Sequence, residues 1–341
     1  MANIEVKPAD NQREWEAFLA AHPESNFLQA WQWGEFHEAL GKAIFRRGYY
    51  KDGRLVGVML SVVEPARRGR YLTVPGGPII DWHDAALAKT FVREIGTQAK
   101  AEKCVFVRVR PQLLSDDFSV KLFAKLGFRP APSHLHAELT QQLDITRPEE
   151  EILSKMRKGT KYEVKNSLKV GVEVVSSTDA KDMQAFYDLQ IETAKRQGFV
   201  PFSYNFLEKQ FEVFTRAGQA LLYTARYNGD VLAQAFIIFQ GQEAVYHYGA
   251  STPAGRNYPG AYAIQWEAIK EAKRRGMSRY NFWGIAPPDQ PGHRFAGITT
   301  FKRGFGGEAV EYLHARDLVI NKPHYLVNLI IEETRRRVRR V

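Results

Sequence analysis

The 341-residue chain contains one cysteine, Cys104. A single thiol excludes an internal disulfide and any cysteine-rich metal site. It lies in the apolar run Cys104-Val-Phe-Val107, where a thiol reads as a small buried hydrophobe of a strand. The opening sequence, MANIEVKPADNQREWE, is polar and has no apolar h-region, so no secretory signal is expected. No run of about 18 apolar residues occurs, so no membrane-spanning helix is expected either. A cytoplasmic protein is the corresponding expectation. The sequence also lacks Gly-x-x-x-x-Gly-Lys-Ser/Thr, Gly-x-Ser-x-Gly and His-Glu-x-x-His, which removes the signals of P-loop, serine-hydrolase and zincin chemistry. Its nine histidines are scattered without metal-ligand spacing, and neither a metal nor a cofactor is expected.

What is present is an ordinary globular composition, 44% hydrophobic and 25% charged, apolar enough to build cores. The length favours two domains. The net charge of +10 favours anionic partners such as nucleic acid, phosphorylated substrates or an acidic membrane surface, without choosing among them.

The chain repeats itself. Placing Gly53 over Gly229, an offset of 176, brings Tyr-Lys-Asp-Gly-Arg-Leu-Val-Gly (50–57) onto Arg-Tyr-Asn-Gly-Asp-Val-Leu-Ala (226–233). Both read as strand, tight turn, strand, because Asp-Gly and Asn-Gly favour left-handed hairpin turns. The same offset carries 85–103 onto 261–279. Both segments have helical apolar spacing, as at Leu87, Phe91, Ile95 and Ala99. It then carries Cys104–Val107 onto Tyr280–Trp283. One residue further on, Gly127-Phe128 meets Gly304-Phe305, and two further on Leu-His-Ala at 135–137 meets Leu-His-Ala at 313–315. Each half predicts helix, hairpin, strand, helix, strand, small-residue turn and strand, an α/β unit of mixed sheet and helices.

This order resembles the GNAT (acyl-CoA N-acyltransferase-like) fold, with the Leu126-Gly127-Phe128 turn similar to that fold's closing signature. Two tandem GNAT-like domains are therefore expected, residues 1–142 and 143–316, with a C-terminal helix over 317–341 packing back on the first. Thr146 reads as the N-cap of the helix opening the second domain, ahead of Pro148 and Glu149 to Glu151. The last helix presents Leu326, Leu329, Ile330 and Ile331 as its apolar face. His136 and His314 are equivalent in the repeat and read as structural. Coenzyme A-dependent GNAT enzymes use a Gln/Arg-x-x-Gly-x-Gly/Ala loop whose amides meet the pyrophosphate. Val74-Pro-Gly-Gly-Pro78 and Gly255-Arg-Asn-Tyr-Pro-Gly-Ala261 both fall short of that pattern, and their prolines remove donors.

Three passages resemble the Fem (FemABX) family of non-ribosomal peptidyltransferases: Phe27-Leu-Gln-Ala-Trp-Gln-Trp-Gly-Glu-Phe36; Thr193-Ala-Lys-Arg-Gln-Gly-Phe199; and Asn281-Phe-Trp-Gly-Ile285, followed by His293 and Gly297-Ile-Thr-Thr-Phe-Lys-Arg-Gly-Phe-Gly-Gly307. Met156–Val174 is similar to the basic helix and strand that open the family's second domain. The resemblance covers nearly the whole chain. It implies tRNA-dependent aminoacyl transfer to a side-chain amine of a peptidoglycan precursor, as in interpeptide-bridge formation and cell-wall biogenesis. The implied partners are an aminoacyl-tRNA donor and a nucleotide- or lipid-linked acceptor, and a monomer is expected. The donor ester is already activated, so the site must orient an amine and stabilise developing negative charge.

By the same resemblance, Lys302 is the catalytic cation beside the reacting carbonyl and Phe301 shapes its pocket. Tyr246 and Tyr248, alternating in Tyr-His-Tyr-Gly, are expected on one strand face lining the acceptor site. Trp33, His37, Arg196 and Trp283 complete the substrate-binding set. Three positions depart from the family. Histidine stands at 37, where a phosphate-binding lysine is usual. Arg110-Pro111 stands where a carboxylate often precedes the proline. No arginine occurs in Val200-Pro-Phe-Ser-Tyr204.

Residues 152–170 carry Lys155, Arg157, Lys158, Lys161, Lys165 and Lys169 against the single acid Glu163. With Arg67, Arg68, Arg70 and the arginines of 335–340, they suit a phosphate backbone, and the C-terminal arginines equally suit anionic lipid. Lys155, Arg157, Lys158, Lys161 and Lys165 are the residues assigned to tRNA or anion binding. Two other functions stay open on the residues: an N-acyltransferase with a coenzyme A or other thioester donor, and a non-catalytic protein that binds an anionic ligand.

Overall fold

The computed structural model describes residues 4–66, 69–290 and 296–339. Arg67, Arg68, His293 and Arg340 lie outside these, as do the side chains of Arg335, Arg336, Arg337 and Arg339. In chain order the elements are β1 (Ile4–Pro8), α1 (Gln12–Ala20), α2 (Trp31–Ala39), β2 (Ile44–Lys51), β3 (Arg54–Glu64), β4 (Arg70–Pro75), β5 (Ile79–Ile80), α3 (Ala85–Ala101), β6 (Cys104–Arg110), α4 (Asp117–Lys125) and β7 (Arg129–Pro130). There follow β8 (Leu139–Asp144), α5 (Glu149–Lys155), α6 (Lys158–Lys169), β9 (Glu173–Ser177), α7 (Met183–Gln197), α8 (Tyr204–Arg216), β10 (Ala220–Tyr227), β11 (Asp230–Gln240) and β12 (Glu243–Ser251). The chain ends with α9 (Gly260–Arg274), β13 (Arg279–Gly284), α10 (Ala296–Arg303), β14 (Glu308–Glu311), β15 (Arg316–Val319) and α11 (Lys322–Arg339).

Two compact units result, one of residues 1–138 with 311–341 and one of 139–310. The sequence-based boundary at 142/143 cuts through β8, whereas the chain divides just before it.

The first sheet runs β1-β2-β3-β4-β6-β15-β7, and the second runs β9-β10-β11-β12-β13-β8-β14. Read this way, the orders correspond position by position. The hairpins also correspond in detail. Asp52 and Asn228 both adopt φ 49° in the turn, and both hairpins slip register at the equivalent place, Tyr49/Tyr50 and Ala225/Arg226. In the sixth position, however, the strands are exchanged along the chain. β8 follows β7 yet pairs with β13, while β15 follows β14 yet pairs with β6.

The first core gathers Leu72, Val74, Leu87, Phe91, Ile95, Val107 and Val109 between the sheet and α3. Cys104 is part of it, and burial pushes its thiol up to about 11. The second core gathers Ala235, Ile237, Phe239, Ile264, Ile269, Tyr280 and Phe282 between the other sheet and α9. Gly255 and Gly260 lie ahead of and at the start of α9. A Cβ at Gly255 would strike the Leu232 carbonyl and one at Gly260 the Leu232 side chain, so close packing accounts for both glycines.

Thr146 is not a helix cap: α5 begins after Pro148, and the Thr146 hydroxyl donates to Asp144 Oδ1 at 2.6 Å. In α11 the inward face is Tyr325, Asn328 and Leu329, whereas Leu326 and Ile330 are exposed. The buried pair Arg108–Asp317 sets that rotation, because Tyr325 donates to Asp317 Oδ2 and Glu332 meets Arg108 on the same helix face. Among the described residues no helix is long and apolar enough to cross a membrane.

Candidate active site

The two units differ where their parallel strands meet. In the first, β4 stays paired with β6 from Arg70–Cys104 to Pro75–Arg110. In the second, β12 pairs with β13 only from Glu243–Arg279 to Val245–Asn281. Beyond that point β12 runs on to Ser251 and β13 to Gly284 with no ladder between them, so the sheet opens into a wedge.

The bend of β13 has an identifiable cause. Its pairing with β8 slips between Asn281 and Gly284, and Trp283 adopts φ 64°, a left-handed conformation that costs a bulky residue energy. The Trp283 N–H is held by Asn281 Oδ1 at 2.8 Å, and Asn281 Nδ2 is anchored on buried Glu243 at 3.1 Å. Beyond the slip Gly284 pairs again with Thr140 of β8, and its carbonyl is left to accept from another element.

Lys302 on α10 fills the mouth of the wedge. Its Nζ donates to Gly284 O at 2.7 Å on one side and lies 5.7 Å from the Tyr246 ring centroid on the other. The side chain is only 7% exposed, with no carboxylate in contact among the described residues, and burial pulls its pKa down to about 7. The amine is therefore poised between its charged and neutral forms near neutral pH. Phe301 packs on Tyr262 (centroids 5.0 Å) and Phe305 (5.3 Å), which fixes α10 against α9. Thr299 Oγ1 accepts the Ala286 N–H at 2.7 Å, tying the same helix to the chain after β13.

Tyr246 and Tyr248 do not share a face. β11 and β12 slip register so that Ile237 faces Tyr246 while Phe236 faces Tyr248, leaving His247 as an extra residue. Tyr246 packs on the core beneath α9. Gly249 makes room for it, since a Cβ there would collide with the phenol. Tyr248 turns to the α8 side, with Phe202 at 5.1 Å and Phe236 at 5.9 Å. Burial raises both phenols, Tyr246 to about 12, so both remain neutral hydrogen-bond donors. His247 is buried against Gln210 (3.0 Å) and 5.9 Å from the Trp283 ring; burial lowers it to about 3.

Arg196 on α7 donates through Nη2 to the Ser251 carbonyl at 2.6 Å, at the far end of the open part of β12. Its Nε and Nη1 are buried without partners among the described residues. In the first unit, Trp33 and His37 are interior: Trp33 sits among Phe27, Phe36, His37 and His136 at centroid distances of 5.1–5.9 Å. Burial lowers His37 to about 3, leaving it uncharged, with Nδ1 unpartnered. His314 is structural, bridging Glu138 (2.7 Å) and the Ala131 carbonyl (2.8 Å). Lys155 lies on α5, paired with Glu151, while Lys158, Lys161 and Lys165 lie on α6 and Arg157 between the two helices.

Two elements of the site escaped the sequence reading. The Gly284 carbonyl is a backbone acceptor without a side-chain signature, and the space at Gly249 depends on a non-local neighbour.

The FemAB family model matches residues 11–125, 127–230 and 207–333. The chain is 23% identical to a lipid II:glycine glycyltransferase of Staphylococcus haemolyticus (strain JCSC1435), over 92% of each chain. It is 22% identical to the aminoacyltransferase FemA of Staphylococcus aureus (strain MRSA252), over 96% of this chain and 98% of that one. Among solved structures it superposes on FemX with a TM-score of 0.86 at 19% identity, covering 95% of this chain and 99% of the other. On a tandem GNAT protein from the clavulanic acid pathway the TM-score is 0.57 at 10% identity, covering 93% and 99%. The fold is thus two tandem GNAT-like domains.

Proposed function

This chain belongs to the FemAB family and is an acyl-transferring enzyme, and we propose that it moves an aminoacyl group from aminoacyl-tRNA to a side-chain amine of a peptidoglycan precursor. The observation that carries this reading is Lys302, a buried amine held between Gly284 and Tyr246 at the mouth of the only wedge in the two parallel pairings described. A wedge between parallel strands admits an extended acyl chain whose amide and ester groups can bond the freed strand edges.

In the proposed step the acceptor amine nitrogen bonds to the ester carbonyl carbon. The carbonyl electron pair moves onto its oxygen, where protonated Lys302 faces the new charge. Collapse of this intermediate breaks the bond to the ribose oxygen, which leaves as a hydroxyl with the proton the amine gives up. Phe301 holds α10 on α9 so that Lys302 stays in place, and the Tyr246 ring bounds the site from the opposite strand.

Tyr248, Trp283 and Arg196 are assigned to substrate binding around the wedge, Arg196 through its two unpartnered buried donors. In the first unit Trp33 and His37 are assigned to the acceptor. Neutral His37 can offer a hydrogen bond but no charge, which suits an uncharged acceptor group at that position better than a phosphate. A site of action in the cytoplasm, with a nucleotide- or lipid-linked acceptor, follows from the same reading.

The test is RNase-sensitive transfer of label from a pool of radiolabelled aminoacyl-tRNAs to nucleotide- and lipid-linked precursors. Transfer identifies both the donor amino acid and the acceptor. No transfer, combined with no tRNA binding, rejects the reading in favour of a thioester donor.

A further inference from the structure

Among the described residues, helix α6 carries a charged face without counter-ions. Lys155, before it, is paired with Glu151, but Arg157, Lys158, Lys161, Lys165 and Lys169 have no carboxylate within ion-pairing distance. Elsewhere in the unit, helix cations are commonly neutralised, as at Lys209, Arg216, Lys270, Arg274 and Arg275. At 3.6 residues per turn, Lys158, Lys161, Lys165 and Lys169 fall on one stripe about 16 Å long. Two apolar side chains flank that stripe, Tyr162 at 63% and Leu168 at 67% exposed. The opposite face, Thr160, Val164 and Ser167, is buried. Packing therefore accounts for the inner face and leaves the outer one unexplained.

The start of this helix is attached to the catalytic segment. The Arg157 N–H donates to the Gly304 carbonyl at 2.9 Å, and a Cβ on Gly304 would collide with Thr160. Gly304 lies two residues beyond Lys302. A strand tracked along α6 toward its N-terminus is thus delivered at the helix that carries Lys302.

We propose that the outer face of α6 is the docking track for the single-stranded 3′ end of the donor RNA, with the lysines on successive phosphates and Tyr162 as a base-stacking platform. This rests on the aminoacyl-tRNA reading above and adds where the RNA lies. The chemistry selects single-stranded RNA. Cations alone would serve any duplex, but an exposed aromatic ring among them engages only bases that are free to unstack. The ester to be cleaved sits on the terminal ribose, so the strand next to it is the one that must be held near Lys302.

The test uses the full chain and fluorescence anisotropy with two labelled RNAs, a minihelix with a single-stranded CCA 3′ tail and the same duplex cut blunt. Native protein is expected to prefer the tailed RNA. Tyr162→Ala weakens that binding about five- to a hundredfold without changing its salt dependence, and brings it to the blunt-duplex level. Tyr162→Phe retains the preference. Lys161→Ala with Lys165→Ala weakens binding to both RNAs and lowers the salt slope by about 1.4. Tyr162 and Lys165 are exposed and Lys161 is half-buried, and unchanged circular dichroism confirms that the variants are folded.

If RNA binding is intact in every α6 variant, the track is wrong while the donor reading stands. Loss of binding to phosphatidylglycerol vesicles with RNA binding unaffected would assign the face to an anionic bilayer and overturn the proposal. No RNA binding by the native protein would overturn both the track and the tRNA reading.

Discussion

Lys302 Nζ and the Gly284 carbonyl oxygen, 2.7 Å apart, join α10 to the bent end of β13. That carbonyl directly follows the left-handed Trp283, so a strained backbone residue and a buried amine lie side by side at the bend. Replacing Lys302 by Met keeps much of the volume and removes the charge. The expected loss in kcat is about 10²–10³, the scale for removing one preorganised donor at a developing oxyanion. Single-turnover rates with saturating donor measure it. Wild-type rates in Lys302→Met would remove this residue from the chemistry.

The pH dependence has two opposite signs. Lys302 sits at about 7 in the folded chain against an ordinary value of 10.5, because burial disfavours its charge. Between these values the unfolded chain holds a proton that the folded chain has released. Stability from this group therefore rises with pH across that window and is constant outside it. The cation proposed to act in catalysis instead disappears above about pH 7, so kcat is expected to fall on the alkaline side. Lys302→Arg, which stays charged, should be slower but lack that limb. A rate that climbs through pH 7 in the native enzyme would make Lys302 a base.

Much of the architecture was legible in local turn chemistry. Asp52-Gly53 and Asn228-Gly229 announced matching hairpins because only a few residue types accept φ near 50° cheaply, and the fixed offset did the rest. Lys302 was singled out as a candidate through the resemblance to a family, not through any property of a lone lysine. What stayed hidden depends on partners distant in sequence. The exchange of β8 and β15 lies in pairings with β13 and β6 that are distant in sequence. The separation of Tyr246 from Tyr248 comes from one extra residue, His247, and strand alternation cannot reveal an insertion that only the neighbouring strand defines. The rotation of α11 is set by the buried Asp317, which pattern reading of Leu326 and Ile330 does not register.

Gly249 gives a test of how tightly the wedge is built. An added methyl would collide with the Tyr246 phenol. Gly249→Ala should cost about 1–3 kcal/mol in urea unfolding, the range for overpacking a filled site. It should also lower kcat/KM by moving the ring that faces Lys302. In a Tyr246→Leu background the same glycine substitution should cost clearly less stability, since the colliding atoms are gone. Additive losses would show that the two residues do not share that space.

Asp317 makes the last test, in the first unit. Its side chain has no exposure, and it accepts from Arg108 Nε at 2.8 Å, Arg108 Nη2 at 2.9 Å and the Tyr325 hydroxyl at 3.0 Å. Arg108 also meets Glu332 at 3.0 Å, so one cluster ties β6, β15 and α11 together. Burial works to raise the Asp317 carboxyl, and the Arg108 guanidinium opposes it. Removing one partner leaves the other buried and under-compensated, and Asp317→Ala should cost about 3–5 kcal/mol. Replacing both, Arg108→Met with Asp317→Leu, should recover part of that loss, because no fully buried charge is then stranded, and the partly exposed Glu332, which loses Arg108, keeps its hydrogen bond from Ser133. Urea midpoints of the full chain read both variants. If Asp317→Ala unfolds where the native chain does, the pair contributes nothing to seating α11, and the exposed Leu326 and Ile330 need another cause.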